Sequence, residues 1–166
     1  MNFPRSRLSE LMNHEQHMPF IKEAIQLAAA ARQHGNHPFG ALLVYQGQVV
    51  SRAENTVLTQ RDITGHAELN LVRQGYSTLA ADFLRQCVLY TSTEPCPMCS
   101  GAIYWAGIRT VVFGLSAARL NQHVGGKNTL NLPCVEVFER GASTEFMVIG
   151  PVLEDEALQP HIGFWR

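Results

Sequence analysis

The sequence has 166 residues, 46% of them apolar and 16% charged, with 13 lysines and arginines against 14 aspartates and glutamates. That composition belongs to one folded globular domain spanning 1–166 and excludes a disordered chain, which lacks the apolar content to build a core. A net charge of −1, with no basic block, weighs against a protein that grips nucleic acid by charge alone.

The four cysteines, Cys87, Cys96, Cys99 and Cys134, are unevenly placed. Residues 1–14 read as a polar lead-in, with Arg5, Arg7, Glu10, Asn13 and His14, rather than as an apolar export signal. Reduced thiols in the cytoplasm are therefore expected instead of a disulfide framework. The uncharged stretch Pro95 to Ile108 contains Ser100 and two glycines and falls short of the roughly 20 apolar residues of a membrane span, so no membrane anchor is expected.

Along the chain, Phe20, Ile21, Ala24, Ile25, Ala28 and Ala31 recur at helical spacing between Glu15 and Gln33, with Gly35 placed to end the helix. Two β-rich runs, Ala41–Tyr45 and Gln48–Arg52, flank a Gln46-Gly47 turn and predict a hairpin. Ala67–Gln74 reads as a helix stopping at Gly75, Cys87–Thr91 as a buried strand, Met98–Ala106 as a helix and Thr110–Phe113 as another buried strand. Strand, helix and strand in that order predict a right-handed crossover with parallel pairing. A short helix and a loop follow over Ser116–Leu132, broken by Gly125-Gly126, then a strand over Glu145–Ile149 and a C-terminal helix over Glu154–His161. Helices on both faces of one mixed α/β sheet are expected.

Two segments carry chemistry. Gly65-His66-Ala67-Glu68 opens the second helix and Pro95-Cys96-Pro97-Met98-Cys99 opens the third. Cysteines three apart on a helix share a face, and a helix N-terminus favours thiolates. Pro97 suits the first turn. Two thiolates and one imidazole give zinc three protein ligands and leave its fourth position open, the layout of a catalytic site. Glu68, two residues from His66, faces elsewhere and is suited to accept a proton from water. Alone, C-x-x-C also describes a redox pair or half a zinc ribbon. Together the two segments match H-x-E…P-C-x-x-C, the pattern of zinc deaminases.

At these residues the sequence resembles the cytidine-deaminase-like superfamily, in the branch holding guanine deaminase, fungal-type cytosine deaminase and tRNA adenosine deaminase. The resemblance runs from about Phe20 to Leu120. It implies a three-layer α/β/α sandwich around a mixed five-stranded sheet, usually a homodimer, and hydrolytic loss of ammonia from an amino-substituted base. By the same resemblance His66, Cys96 and Cys99 would hold one Zn²⁺ per chain and Glu68 would shuttle protons. Asn55 would hydrogen-bond substrate, or else satisfy its own turn. Phe39 would line the pocket or serve as core, Glu94 would support the loop, and the backbone around Ser92 and Thr93 would accept the substrate amine.

Pro-Phe-Gly-Ala and the Pro-Cys-Pro-Met-Cys segment are worded most like guanine deaminases, whereas the tRNA enzymes usually have Val at the positions of Phe39 and Pro97. With the near-neutral charge this favours a free nucleobase or nucleoside, guanine-, cytosine- or isocytosine-like, as the partner molecule. A tRNA adenosine deaminase and a non-catalytic zinc-stabilised binding module are the alternatives. Phe164 and Trp165 would either close the pocket over a planar substrate or only dock the last helix. Cys87 and Cys134 read as core residues, His34 and His37 as surface histidines, and Tyr104 and Trp105 as packing or dimer contacts.

Overall fold

The computed structural model describes residues 13–126, 129–142 and 145–165. Most of the polar lead-in lies outside them. Its last residues are not lead-in: Asn13 caps the first helix, its side chain accepting from the Glu15 N–H at 3.1 Å. That helix, α1 (His14–Gln33), buries Ile21, Ala24, Ala28 and Ala31. The hairpin follows as β1 (Gly40–Tyr45) and β2 (Gln48–Glu54), with Gln46 and Gly47 at positive φ in its turn. β2 runs two residues beyond its predicted end.

The order then continues with α2 (Val57–Gln60), α3 (Ala67–Thr78), α4 (Ala81–Gln86), β3 (Val88–Thr93), α5 (Pro97–Trp105), β4 (Thr110–Leu115), α6 (Ala117–His123), α7 (Cys134–Glu139), β5 (Met147–Ile149) and α8 (Glu154–Leu158). α8 passes into a 3₁₀ turn over Gln159–His161, where one continuous helix is predicted. The sheet has five strands in the order β2-β1-β3-β4-β5, with β1 antiparallel to β2 and β3, and β3, β4 and β5 parallel. The mixed sheet and the β3–α5–β4 crossover are as expected.

Strand alternation divides the core in two. Leu42, Val44, Tyr90 and Val112 meet α1 through Ile21 and Ala24. On the other face Ala41, Leu43, Leu89 and Val111 meet α3, α4, α5 and α7 through Leu71, Leu84, Ile103 and Phe138. The result is the three-layer sandwich.

Gly75 does not stop α3. It lies inside the helix, where a Cβ would stand 3.1 Å from Leu43 and 3.3 Å from Leu84, so the glycine admits β1 and α4 at close range. Three short helices, α2, α4 and α7, fall where no helix is predicted. α2 owes its place to a distant residue: the buried Asn36 accepts from the Leu58 and Thr59 N–H groups at 3.1 and 3.0 Å. β3 reaches Thr93, two residues past its predicted end, so Ser92 and Thr93 belong to the strand rather than to a loop.

Candidate active site

The site gathers at the C-terminal end of β3, the side of a parallel crossover where substrate crevices form. His66 is the N-cap residue of α3 and Cys96 that of α5, with Pro97 in the first turn. Asn70 fixes the start of α3, its amide donating to the Glu54 carbonyl at 3.0 Å and the Thr56 hydroxyl at 2.9 Å. Glu94 fixes the loop before Cys96. One of its carboxylate oxygens accepts from the Ala117 N–H at 2.9 Å and the other from the Cys134 N–H at 3.0 Å, so it caps α6 and α7 together. This is the loop-supporting part expected of it.

His66 Nδ1 lies 3.6 Å from both Cys96 Sγ and Cys99 Sγ, and the three donor atoms fall within 4.8 Å of one another. Tetrahedral zinc ligands at about 2.3 Å for sulfur and about 2.1 Å for nitrogen stand about 3.6 Å apart. Two sulfurs and one imidazole nitrogen at that spacing fit zinc in chemistry and in size. Among the described residues these three form the metal-sized cluster of His, Cys, Asp and Glu.

The electrostatics follow from proximity. The Cys99 thiol donates toward Cys96 and His66 stands beside it, so the Cys96 thiol is pulled down to about 4. The same bond and burial push Cys99 up, and the hydrogen bond to Cys96 raises His66. Glu68 is only 5% exposed; burial first, then the Cys96 charge, raises its carboxyl above the usual range. Its oxygens lie 3.8 Å from Cys99 Sγ and 3.1 Å from the Thr91 hydroxyl.

Asn55, at the end of β2, is 1% exposed; its side-chain oxygen accepts from the Val57 N–H at 3.0 Å, while its Nδ2 has no partner among the described residues. The turn is thus satisfied by the oxygen, and the two amide donors stay free. Ser92 Oγ accepts from the Gly40 N–H at 3.1 Å and supports the approach of Phe39. The Thr93 carbonyl already accepts from the Thr91 hydroxyl at 2.9 Å.

Phe39 packs edge-on against His161, ring centres 5.1 Å apart, and tilts against Trp165 at 6.1 Å. His37, read as a surface residue, is half-buried between Phe164 and Trp165, at 5.9 and 5.3 Å. Burial, then the charge of His66, holds its pKa low. His37 thus stands between the C-terminal aromatics, which pack on its ring, and His66, whose charge it feels. His34 is exposed and pairs with Glu54 at 2.7 Å. Cys87 and Cys134 are buried, as expected of core residues. Sequence reading missed Thr91, His37 and above all His161, whose partners lie far away along the chain.

The fold and this cluster define a metal-site α/β/α enzyme. The family model for the cytidine and deoxycytidylate deaminase zinc-binding region matches residues 14–115. A probable cytosine deaminase of Schizosaccharomyces pombe is 41% identical over 154 residues, covering 91% of this chain and 93% of that protein. A tRNA-specific adenosine deaminase of Bacillus subtilis is 36% identical over 138 residues, covering 82% and 81%. The solved structure of a guanine deaminase from Bacillus subtilis matches with a TM-score of 0.60 at 32% identity, covering 87% of this chain and 90% of that one. The chain belongs to the cytidine and deoxycytidylate deaminase family. It is a hydrolytic deaminase with zinc as its metal, which sets aside the binding-module alternative. No helix among the described residues is long and apolar enough to cross a membrane.

Proposed function

We propose that the enzyme removes the exocyclic amine of a free nucleobase or nucleoside, guanine-, cytosine- or isocytosine-like, as ammonia. The observation that carries this reading is the packing of Phe164 and Trp165 against His37 and Phe39, with His37 close enough to His66 to feel its charge. A wall of aromatic rings suits a small planar molecule. The charge of −1 also favours a small substrate over a polyanion.

In this reading His66, Cys96 and Cys99 would hold the zinc. Zinc bound there acts as a Lewis acid that makes water acidic enough to serve as a nucleophile near neutral pH. Glu68 is the general base and then the general acid: it takes a proton from the attacking water and delivers it to a ring nitrogen, then takes the remaining proton from the hydroxyl now on the ring carbon and passes it to the departing amine as the carbonyl forms and the C–N bond breaks. Its raised pKa suits a group that must give protons back as well as take them. Water and the aminated base become the oxo base and ammonia, with no redox change. The free Asn55 amide donates to an acceptor on the base. Phe39 and Trp165 flank the ring with Phe164, and the backbone around Ser92 and Thr93 faces the amine.

The chain works as one deaminase domain, in the cytoplasm, where two reduced cysteines are stable. It pairs as a homodimer through α3 and α5, where Trp105 is 82% exposed and borders a groove of about 460 Å³ with Tyr76, Leu69 and Val72. Tyr104, by contrast, is packing: it stacks on Phe146 at 5.4 Å. The discriminating assay is ammonia release from free bases, nucleosides and tRNA beside the Glu68→Ala variant. Release from a base or nucleoside supports the reading; release from tRNA alone overturns it in favour of tRNA adenosine deamination.

A further inference from the structure

The C-terminal segment is held by more than ring contacts. Arg32, in the last turn of α1, donates from one nitrogen to the carbonyls of Pro160 and Ile162, both at 2.8 Å, and its guanidinium lies over the Phe164 ring. Between those two carbonyls sits His161, fully buried, with its own carbonyl 3.3 Å from His123 Nε2. Among the described residues the imidazole nitrogens have two hydrogen-bond partners: the Trp165 indole N–H, 3.1 Å from Nδ1, and the Thr93 hydroxyl, 3.4 Å from Nε2. His161 and Trp165 stack with ring planes 11° apart.

The proton positions follow from donor chemistry alone. An indole N–H only donates, so Nδ1 of His161 must be the bare nitrogen. The ring is then neutral and carries its proton on Nε2, aimed at the Thr93 oxygen, which must accept. Burial, reinforced by His123 and Arg32, keeps the imidazole neutral to about 4. Once its oxygen accepts from His161, the Thr93 hydroxyl is free to donate its own proton, and among the described residues nothing takes it. Thr93 is 3% exposed and, by strand alternation, shares the sheet face of Thr91, whose hydroxyl meets Glu68.

We propose that His161 is a positioning residue of the deaminase site: it fixes the Trp165 indole through Nδ1 and, through its Nε2–H, turns the Thr93 hydroxyl into a donor for an acceptor atom on the base. A carbonyl oxygen or an unprotonated ring nitrogen would satisfy that donor. The relay therefore selects bases with an acceptor on the edge facing Thr93. This rests on the proposed deamination of a planar base, and the test has one arm that does not.

The independent arm is the indole proton of Trp165 in ¹H–¹⁵N spectra. The chain has 2 tryptophans, so Trp165→Phe assigns the resonance. In the wild type this proton should exchange slowly with water. It should exchange faster in His161→Phe, which keeps the ring and loses both nitrogens, and stay protected in His161→Asn, whose side-chain oxygen replaces Nδ1. Unchanged exchange in His161→Phe overturns the relay whatever the substrate proves to be.

The second arm is kinetic, on whichever free base the wild type turns over best. His161→Phe and Thr93→Val should each raise KM roughly five- to tenfold, the worth of about one hydrogen bond, with a much smaller change in kcat. Thr93→Val should leave the Trp165 resonance in place. The His161→Phe/Trp165→Phe double variant should be less impaired than the product of the two single effects. Independent effects in that cycle, or a normal KM in both single variants, overturn the proposal. A wild type that releases ammonia from no base overturns the substrate reading alone, because the spectra still decide the relay.

Discussion

The donor cluster and the C-terminal aromatic segment, proposed as its cover, are held in different ways. His66, Glu68, Cys96 and Cys99 sit on the first turns of two helices; part-buried polar contacts from Asn70 hold the start of α3, and those of Glu94 tie the loop before α5 to α6 and α7. Local geometry sets their mutual distances, since three residues along a helix bring two sulfurs to one face. The cover is held by contacts that span the chain: Arg32 to Pro160, Thr93 to His161, His37 to Trp165. Rigid helix starts suit atoms that must stay within tenths of an ångström of a metal. A segment held by a few long-range side-chain contacts suits the proposed role of a wall past which substrate and product must travel.

The sharpest way to break the comparison is at the donor end. Cys99→Ser should lose zinc and with it turnover, measured as metal content and ammonia release on one sample. Glu68→Gln should lose about 10² to 10⁴ of kcat while keeping its zinc. Loss of metal in Glu68→Gln would mean that the carboxylate holds the cluster together rather than moving protons. At the cover the effect should be smaller and of another kind: removing the last four residues should raise KM roughly tenfold, the size of one lost stacking contact. Unchanged KM and kcat in that truncation would reduce Phe164 and Trp165 to docking residues.

Stability should separate the two regions as well. His161 titrates near 6.5 in the unfolded chain and about 4 in the folded one. Between those values the unfolded state binds the extra proton, so stability falls as pH drops from about 6.5 to about 4, by up to about 3 kcal/mol. Unfolding midpoints measured across that range should show a shallower slope in His161→Phe. At the donor end, Glu94→Ala removes the acceptor of two helix-start N–H groups and should cost about 2 kcal/mol, read as a lower Tm at neutral pH.

The catalytic core was legible because it is local. H-x-E and P-C-x-x-C each lie within a helix turn, and the periodicities of α1, β1, β3, α5 and β4 placed those turns on the right elements. Much of the rest depended on partners far along the chain. Gly75 looked like a helix stop because the sequence does not reveal that Leu43 and Leu84 press on it. His37 looked exposed because its cover comes from the opposite terminus.

The sequence by itself determined the donor set, the placing of Glu68, the proposed proton carrier, beside it, and the α/β/α class, since these follow from residue type, from short spacings and from hydrophobic periodicity. Only the tertiary structure decided that the Asn55 amide is buried and free, that one Glu94 carboxylate serves two helices, and that His161 stands between Trp165 and Thr93. The physical reason is common to all three: burial and hydrogen-bond partnership are properties of pairs, and pairs distant in sequence meet only when the sheet and its helices have closed.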